Sequence, residues 1–436
     1  MLLLLFCQKA MLFDKIVGRL REKFMEVRDN RRKNLSYPLV DMLSIGFAMF
    51  SLKDSSLSCF RDNYSVRSEN LKQIYGIETL CGDTALREGL DVVNSKELQP
   101  LFAIPIAELR LSGELKEREV LGGYTAVSVD GTGHYCSCKK QCPQCMVKKH
   151  RNGKFTYYHQ LLGAVMVHPK QKTVFPVACE AIVKQDGSTK NDCELNACKR
   201  LIPQIRKILP DQKIIAIFDA LYANGPHVQS LKAANINYII GTKGQTVVDM
   251  QVRAKKEKGE IQQIVWQKKG VKHTIFFTND LMLNTVYPDT KTNYFEYSQV
   301  DIQTGESLFY STWMTDIEVT VENVKELVQV ARARWKIENE TFNTLKNQGY
   351  HLEHNYGHGK KNLATNFAIL TFLAFLVDQV TEHLDQNFQR AKKACKTLKN
   401  LWYRIRTVFD LAIASSMDAI YRFIITKKPL DMPPLE

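Results

Sequence analysis

The stretch Lys213-Ile-Ile-Ala-Ile-Phe-Asp219 constrains the fold more than any other. Its consecutive apolar residues leave no polar face, so a strand made from them must be covered on both sides, as in the middle of a sheet flanked by helices. A similar run, Ile236 to Gly241, follows a helical stretch at about Pro226–Ala234, and another helical stretch, at about Asp192–Ile208, precedes the first run. Upstream, Tyr124–Asp130, Gln160–Val167 and Thr173–Val183 read as strands in hairpin-like succession, with Pro176 marking an edge or a bulge. This order of elements specifies an α/β layer built around one mixed sheet.

The flanking regions have other textures. From Met11 to about Leu115 the apolar residues recur at helical spacing (Leu39, Leu43, Phe47, Phe50), and Asp83-Thr84 signals a helix start. Arg28, Arg31, Arg32 and Lys33 lie beside the Ser36-Tyr37-Pro38 break, where an exposed turn can meet phosphate. Between about Gln245 and Asp316 the helical period disappears. Runs at Gln263–Gln267, Lys272–Thr278, Tyr294–Val300 and Ser307–Trp313 predict a β-rich insertion whose last strand rejoins the main sheet. A long helix is expected from about Thr320 to Asn347.

Composition narrows the function. Lys and Arg number 60 against 46 Asp and Glu, a net charge of +14, which favours a polyanion such as nucleic acid as partner. Ala364–Val377 is shorter than the ~20 residues of a membrane span and contains Asn366 and Thr371, so it reads as a buried core helix and no membrane partner is expected. Met1–Cys7 is apolar without a basic leader or a small-residue cleavage site, unlike a secretory signal. Eleven unevenly placed cysteines fit a reduced, cytoplasmic protein.

Two aspartates stand where strands end, Asp130 in Val127-Ser-Val-Asp-Gly-Thr-Gly133 and Asp219 in Ile217-Phe-Asp-Ala. Ligands commonly bind at the carboxyl ends of strands in such folds. Glu338 falls within the apolar stripe Val324, Leu327 or Val328, Ala331, Trp335, Phe342 and Leu345 of the long helix, where a charge needs a cation or a metal. An ion pair with Arg334, one turn earlier, is the simpler alternative. Two aspartates and a glutamate form an oxygen set suited to Mg²⁺ or Mn²⁺, and two such ions serve phosphoryl transfer on nucleic acid.

The order Val-Asp-Gly-Thr-Gly, Ile-Phe-Asp-Ala-Leu-Tyr-Ala, then Arg334-Trp-Lys-Ile-Glu338 followed by Leu-Lys-Asn resembles the DDE transposases of bacterial insertion sequences over about Tyr124–Gly359. That resemblance implies an RNase H-like mixed sheet with flanking helices, interrupted by a β-rich insertion and preceded by a helical N-terminal domain. It implies Asp130, Asp219 and Glu338 as metal-binding catalytic residues, Asp130 bridging two Mg²⁺ (or Mn²⁺) ions, with Arg334 at the arginine of a Tyr-x2-Arg-x3-Glu-x6-Lys signature. Ala331 stands at the tyrosine position and Leu345 at the lysine position, with Lys346 one place later. The implied domains are 1–115 (helical, DNA-binding), 120–245 and 313–380 (two parts of the catalytic core), 246–312 (insertion) and 381–436 (basic, helical). The implied activity is cutting the terminal inverted repeats of a mobile element and joining the 3′-hydroxyl to target DNA, in a homodimer on double-stranded DNA at the bacterial nucleoid. The alternatives are an inactive DNA-binding protein with a zinc knuckle, or a metal-dependent nuclease that cuts without joining.

Other clusters accompany this set. Cys136, Cys138, Cys142 and Cys145, with His134 and His150 nearby, have the density of a structural Zn²⁺ site. Lys148, Lys149, Arg151 and Lys154 follow directly, and Lys392, Lys393, Lys396, Lys399, Arg404 and Arg406, interleaved with Trp402 and Tyr403, form a second basic run suited to DNA. Lys346 joins them as a DNA contact. His351, Glu353, His354 and His358 read as loop residues for packing or backbone contacts, Asp192 and Glu194 as helix-capping acids, and Trp313 as core.

Overall fold

The computed structural model describes residues 11–31, 36–184, 193–258, 261–428 and 430. Met1–Cys7, Arg32, Lys33 and Asp192 lie outside them. The N-terminal part is helical, as its periodicity predicts: α1 (Leu12–Met25), α2 (Leu39–Ser51), α3 (Leu57–Asp62), α4 (Tyr64–Tyr75), α5 (Asp83–Asp91), a 3₁₀ segment (Ser95–Phe102), α6 (Ala103–Leu111) and α7 (Glu114–Glu117).

The sheet follows: β1 (Tyr124–Ser137), β2 (Met146–Lys149), β3 (Phe155–Met166), β4 (Phe175–Ile182), α8 (Glu194–Ile208), β5 (Lys213–Phe218), α9 (Gly225–Ala233) and β6 (Ile236–Thr242). The run Ile214–Phe218 is buried throughout, and β5 lies between β1 and β6, parallel to both. β3 pairs antiparallel with β1, and among the described residues β4 pairs only with β3, with a register shift opposite Pro176. The proline is thus accommodated by both an edge and a bulge, because it has no N–H to give to a ladder.

The next region departs from expectation at its start. α10 (Gln245–Lys258) is a helix in which, among the described side chains, only Met250 and Ala254 are fully buried, four residues apart, against the sheet. So narrow a stripe among charged residues does not register as helical periodicity. β7 (Gln262–Lys268), β8 (Val271–Asn284), β9 (Tyr287–Asp301) and β10 (Ser307–Thr315) then continue the same sheet, β10 pairing antiparallel with β6. The order is β2-β3-β1-β5-β6-β10-β9-β8-β7, with β4 beside β3.

The expected long helix is broken. α11 (Val324–Arg332) gives way to a turn at Ala333-Arg334, then a π-helical stretch (Ile337–Phe342) and α12 (Asn343–Asn347). After an irregular segment come α13 (Leu363–Leu384), α14 (Gln386–Cys395), α15 (Leu398–Leu411) and α16 (Met417–Thr426). α13 is long and apolar enough to cross a membrane, but 94% of its apolar window is buried inside the protein, between the N-terminal helices and the β3/β4 side of the sheet. Its polar residues are satisfied locally: Asn366 Nδ2 donates to Leu90 O at 2.8 Å and Val93 O at 3.0 Å, and Thr371 Oγ1 to Phe367 O at 2.8 Å. The C-terminal helices are tied back to the N-terminal ones by Arg67, which pairs with Asp54 at 2.7 Å and Asp410 at 2.5 Å.

α13 begins on a remote carboxylate. Asp91 accepts the backbone N–H groups of Lys360 (2.9 Å), Lys361 (2.9 Å), Asn362 (3.0 Å) and Leu363 (3.0 Å), which the helix itself leaves without partners. Gly359 makes the approach feasible: its φ is +70°, and a Cβ there would stand 2.2 Å from Asp91 Oδ1. Asp91→Ala should therefore lower stability by about 2–4 kcal/mol, seen as a lower urea midpoint with little change in slope. An unchanged midpoint would mean that water replaces the carboxylate.

Candidate active site

The parallel pairing of β1 and β5 brings two acids together. Ser128 is in register with Ile217, and two residues further on each chain stand Asp130 and Asp219. Asp130 is not at a strand end: β1 continues to Ser137 along β3, and it is the partner β5 that stops. Asp219 caps the short 3₁₀ turn Ala220–Tyr222, its Oδ1 accepting from Leu221 N–H at 2.9 Å. Asp130 Oδ1 accepts from Gly131 N–H at 2.8 Å.

Glu338 reaches the same place by a route that the apolar stripe does not predict. The turn at Ala333-Arg334 and the wide π turn shift the helical phase, so Ile337, Phe342 and Leu345 face the core while Trp335 (46%) and Glu338 (51%) are exposed. Ser128 Oγ donates to Arg334 O at 3.2 Å, and the buried Lys336 Nζ donates to His168 O (2.7 Å) and Gln171 O (2.6 Å), fixing the turn on both sides. From there Arg334 spans the two acids, 2.7 Å to Asp130 Oδ2 and 2.6 Å to Glu338 Oε1. The i, i+4 pair considered from sequence is present, and it is half of a bridge.

A further carboxylate belongs to this neighbourhood. Glu194, in the first turn of α8, rests on Gly131: a Cβ at Gly131 would stand 2.4 Å from Glu194 Oε1. Tyr222 Oη donates to Glu194 Oε2 at 3.4 Å. Burial, then the charges of Asp130 and Asp219, push its pKa up. Burial also raises that of Asp130, with Glu338 adding to it while Arg334 and the Gly131 N–H oppose. A helix-start acid and a site acid look alike in sequence, so its spacing alone gave no signal. The donors are all carboxylate oxygens, and two of the acids, Asp130 and Glu338, share a guanidinium; such a set suits a hard divalent cation.

The π turn also bears on Lys346. A π turn holds one residue more than an α turn, so Lys346 occupies the angular position that Leu345 would hold in a continuous α-helix, and Leu345 is buried. Lys346 Nζ pairs with Glu353 at 2.8 Å.

The remaining residues divide. Lys148, Lys149, Arg151 and Lys154 are exposed along the β2–β3 hairpin, and His150 bonds Thr156 Oγ1 at 2.7 Å. Lys393, Lys396, Lys399 and Arg404 are exposed, whereas Lys392 pairs with Glu382 and Arg406 donates to Leu52 O at 2.9 Å, at the end of α2. Trp402 is buried under Lys53 and is not open for stacking, while Tyr403 is exposed. Trp313 is core, stacked on Phe295 at 5.2 Å. Cys142 and Cys145 converge with His159 and His358, and Cys136 and Cys138 are exposed. His358, expected in packing or backbone contacts, thus joins a cysteine pair.

A family model described as the transposase DDE domain matches residues 121–376, more than half of the chain. The chain belongs to this DDE transposase family. No curated protein matches it. As a DDE transposase it has the RNase H-like mixed sheet of that fold, and its family acts on DNA with divalent metal ions. The matched span runs from just before β1 into α13 and contains Asp130, Asp219, Arg334 and Glu338.

Because Arg334 holds the Asp130 pKa down against burial and Glu338, Arg334→Ala should move it further up, read by carboxylate carbon NMR titration of the metal-free protein. A downward shift would show that the bridge is not what opposes the rise of the Asp130 pKa.

Proposed function

We propose that this transposase binds the terminal inverted repeats of its own mobile element, cleaves the phosphodiester at each end, and joins the freed 3′-hydroxyl to target DNA. The observation that carries the reading is the shared guanidinium: carboxylates 208 positions apart in sequence meet at Arg334, with Asp219 on the adjacent strand end. Asp130, Asp219 and Glu338 would hold two Mg²⁺ or Mn²⁺ ions, with Glu194 beside them. Such ions activate a water or a 3′-hydroxyl and stabilise the leaving oxygen. Arg334 orients Glu338, and its planar fork suits a phosphate as well as a carboxylate. Trp335, exposed next to Arg334, offers a stacking face to DNA near the cut. Lys346 and the β2–β3 hairpin contact the DNA backbone. Synapsis of two ends calls for a homodimer, and the setting would be the bacterial cytoplasm at the nucleoid.

Cleavage and strand transfer on DNA carrying the element's ends, with Mg²⁺, should fall by about 10³-fold or more in Asp130→Asn, Asp219→Asn and Glu338→Gln, with DNA binding retained. A variant that still cuts would remove that residue from the site, and cutting without joining would favour the nuclease reading. Replacing Lys148, Lys149, Arg151 and Lys154 together by alanine should reduce the slope of log affinity against log salt by about 3–4, whereas Arg406→Ala, directed inward, should leave it unchanged. Equal slopes for the hairpin variant and wild type would move the DNA path elsewhere.

A further inference from the structure

Cys142 and Cys145 before β2, His159 in β3 and His358 ahead of α13 each bring one donor atom to a common point, all within 4.8 Å of one another. The separations are 3.7 Å for Cys142 Sγ–Cys145 Sγ and 3.2 Å for His159 Nε2–His358 Nε2. Cys142 Sγ lies 3.5 Å from His159 Nε2, and Cys145 Sγ lies 3.3 Å from both imidazole nitrogens. A tetrahedral Zn²⁺ with Zn–S of about 2.3 Å and Zn–N of about 2.05 Å requires S–S, N–N and S–N edges of about 3.8, 3.3 and 3.6 Å. Three kinds of edge agree with one centre. Hydrogen bonding gives no reason for that pattern, since thiols are weak donors and two imidazole Nε2 atoms need only one proton between them.

We propose that Cys142, Cys145, His159 and His358 bind one structural Zn²⁺. Two thiolates and two imidazoles select a borderline-soft cation over Mg²⁺, and four protein ligands leave no open position for chemistry. The ligands come from segments far apart: His358 is 199 residues from His159 and 213 from Cys145. Rings close the site, with Tyr135 stacked on His358 at 4.3 Å and His134 on His159 at 5.9 Å. A second tie runs alongside, Gln144 Nε2 donating to Asn362 Oδ1 at 3.0 Å. The metal therefore clamps the segment between α12 and α13 to the β2–β3 hairpin. Four residues after that ligand, Asp91 holds the start of α13. Binding free energy at such a site is folding free energy.

The full chain, purified without chelator, is assayed for zinc, and the Co²⁺-exchanged form for its spectrum. We expect about one zinc per chain, with the intense visible bands of tetrahedral Co²⁺ and a sulfur-to-cobalt charge-transfer band. Cys142→Ser and His358→Ala should lower the zinc content about tenfold or more, while the double variant Cys136→Ser/Cys138→Ser keeps it. If Cys142→Ser does not fold, the wild-type cobalt spectrum and the Cys136→Ser/Cys138→Ser variant decide. A chain without zinc, a Cys142–Cys145 disulfide in its place, or loss of zinc on substituting Cys136 and Cys138 overturns the proposal.

Discussion

Negative charges gathered in a half-buried place repel each other, and the organisation of the core can be understood from how that repulsion is contained. Asp130 and Asp219 are held side by side by backbone pairing; burial first, then the charge of Glu338, raises the Asp130 pKa, and burial first, then the charges of Asp130 and Asp219, raises that of Glu194. Arg334 offsets part of it by spanning Asp130 and Glu338. The guanidinium can do so only because its backbone is pinned to β1 through Ser128 and its neighbour Lys336 is buried among carbonyls of the segment after β3. A mobile arginine would lose side-chain entropy on making the same bridge.

The parts of the chain outside the sheet are not appended to it. α13 lies between the N-terminal helices and the β3/β4 side of the sheet, so one apolar helix joins them into a single core. Buried charge marks the joints. Lys53, pushed down to about 8 by burial, pairs with Asp378 of α13, which also accepts from Tyr350 Oη at 2.6 Å. Such pairs contribute little net stability, but they tolerate few alternative arrangements, because a partner moved away leaves an uncompensated charge.

Much of the fold was legible because the strands carry their own pattern: Ile214–Phe218 admits no exposed face, and Pro176 admits no central position. The mixed sheet and the DDE resemblance both stood on such short stretches. α10 was not legible, since Met250 and Ala254 are too few to reveal a period. The site was legible as residue types and incompletely as geometry. Asp130, Arg334 and Glu338 meet, with Asp219 at the adjacent strand end, but Glu338 does so from an exposed face that a straight helix would have turned inward. The Cys and His ligands could not be matched from spacing, because His159 and His358 are brought to Cys142 and Cys145 by strand pairing and by the start of α13. Arg406 and Lys392 show the converse: a run of bases says nothing of which ones turn inward.

The widened turn between Ile337 and Phe342 changes how a chain like this should be compared with others. In a regular α-helix one inserted residue rotates everything downstream by about 100°, which would swing a basic side chain off the face it shares with the acid. Here the extra residue is taken up locally, within the π-helical turn itself. Residue spacing on this helix is therefore a poor guide to direction: what a side chain such as Lys346 faces is set by the turns that precede it, and a count of residues from Glu338 that assumes a regular α-helix assigns it the wrong side.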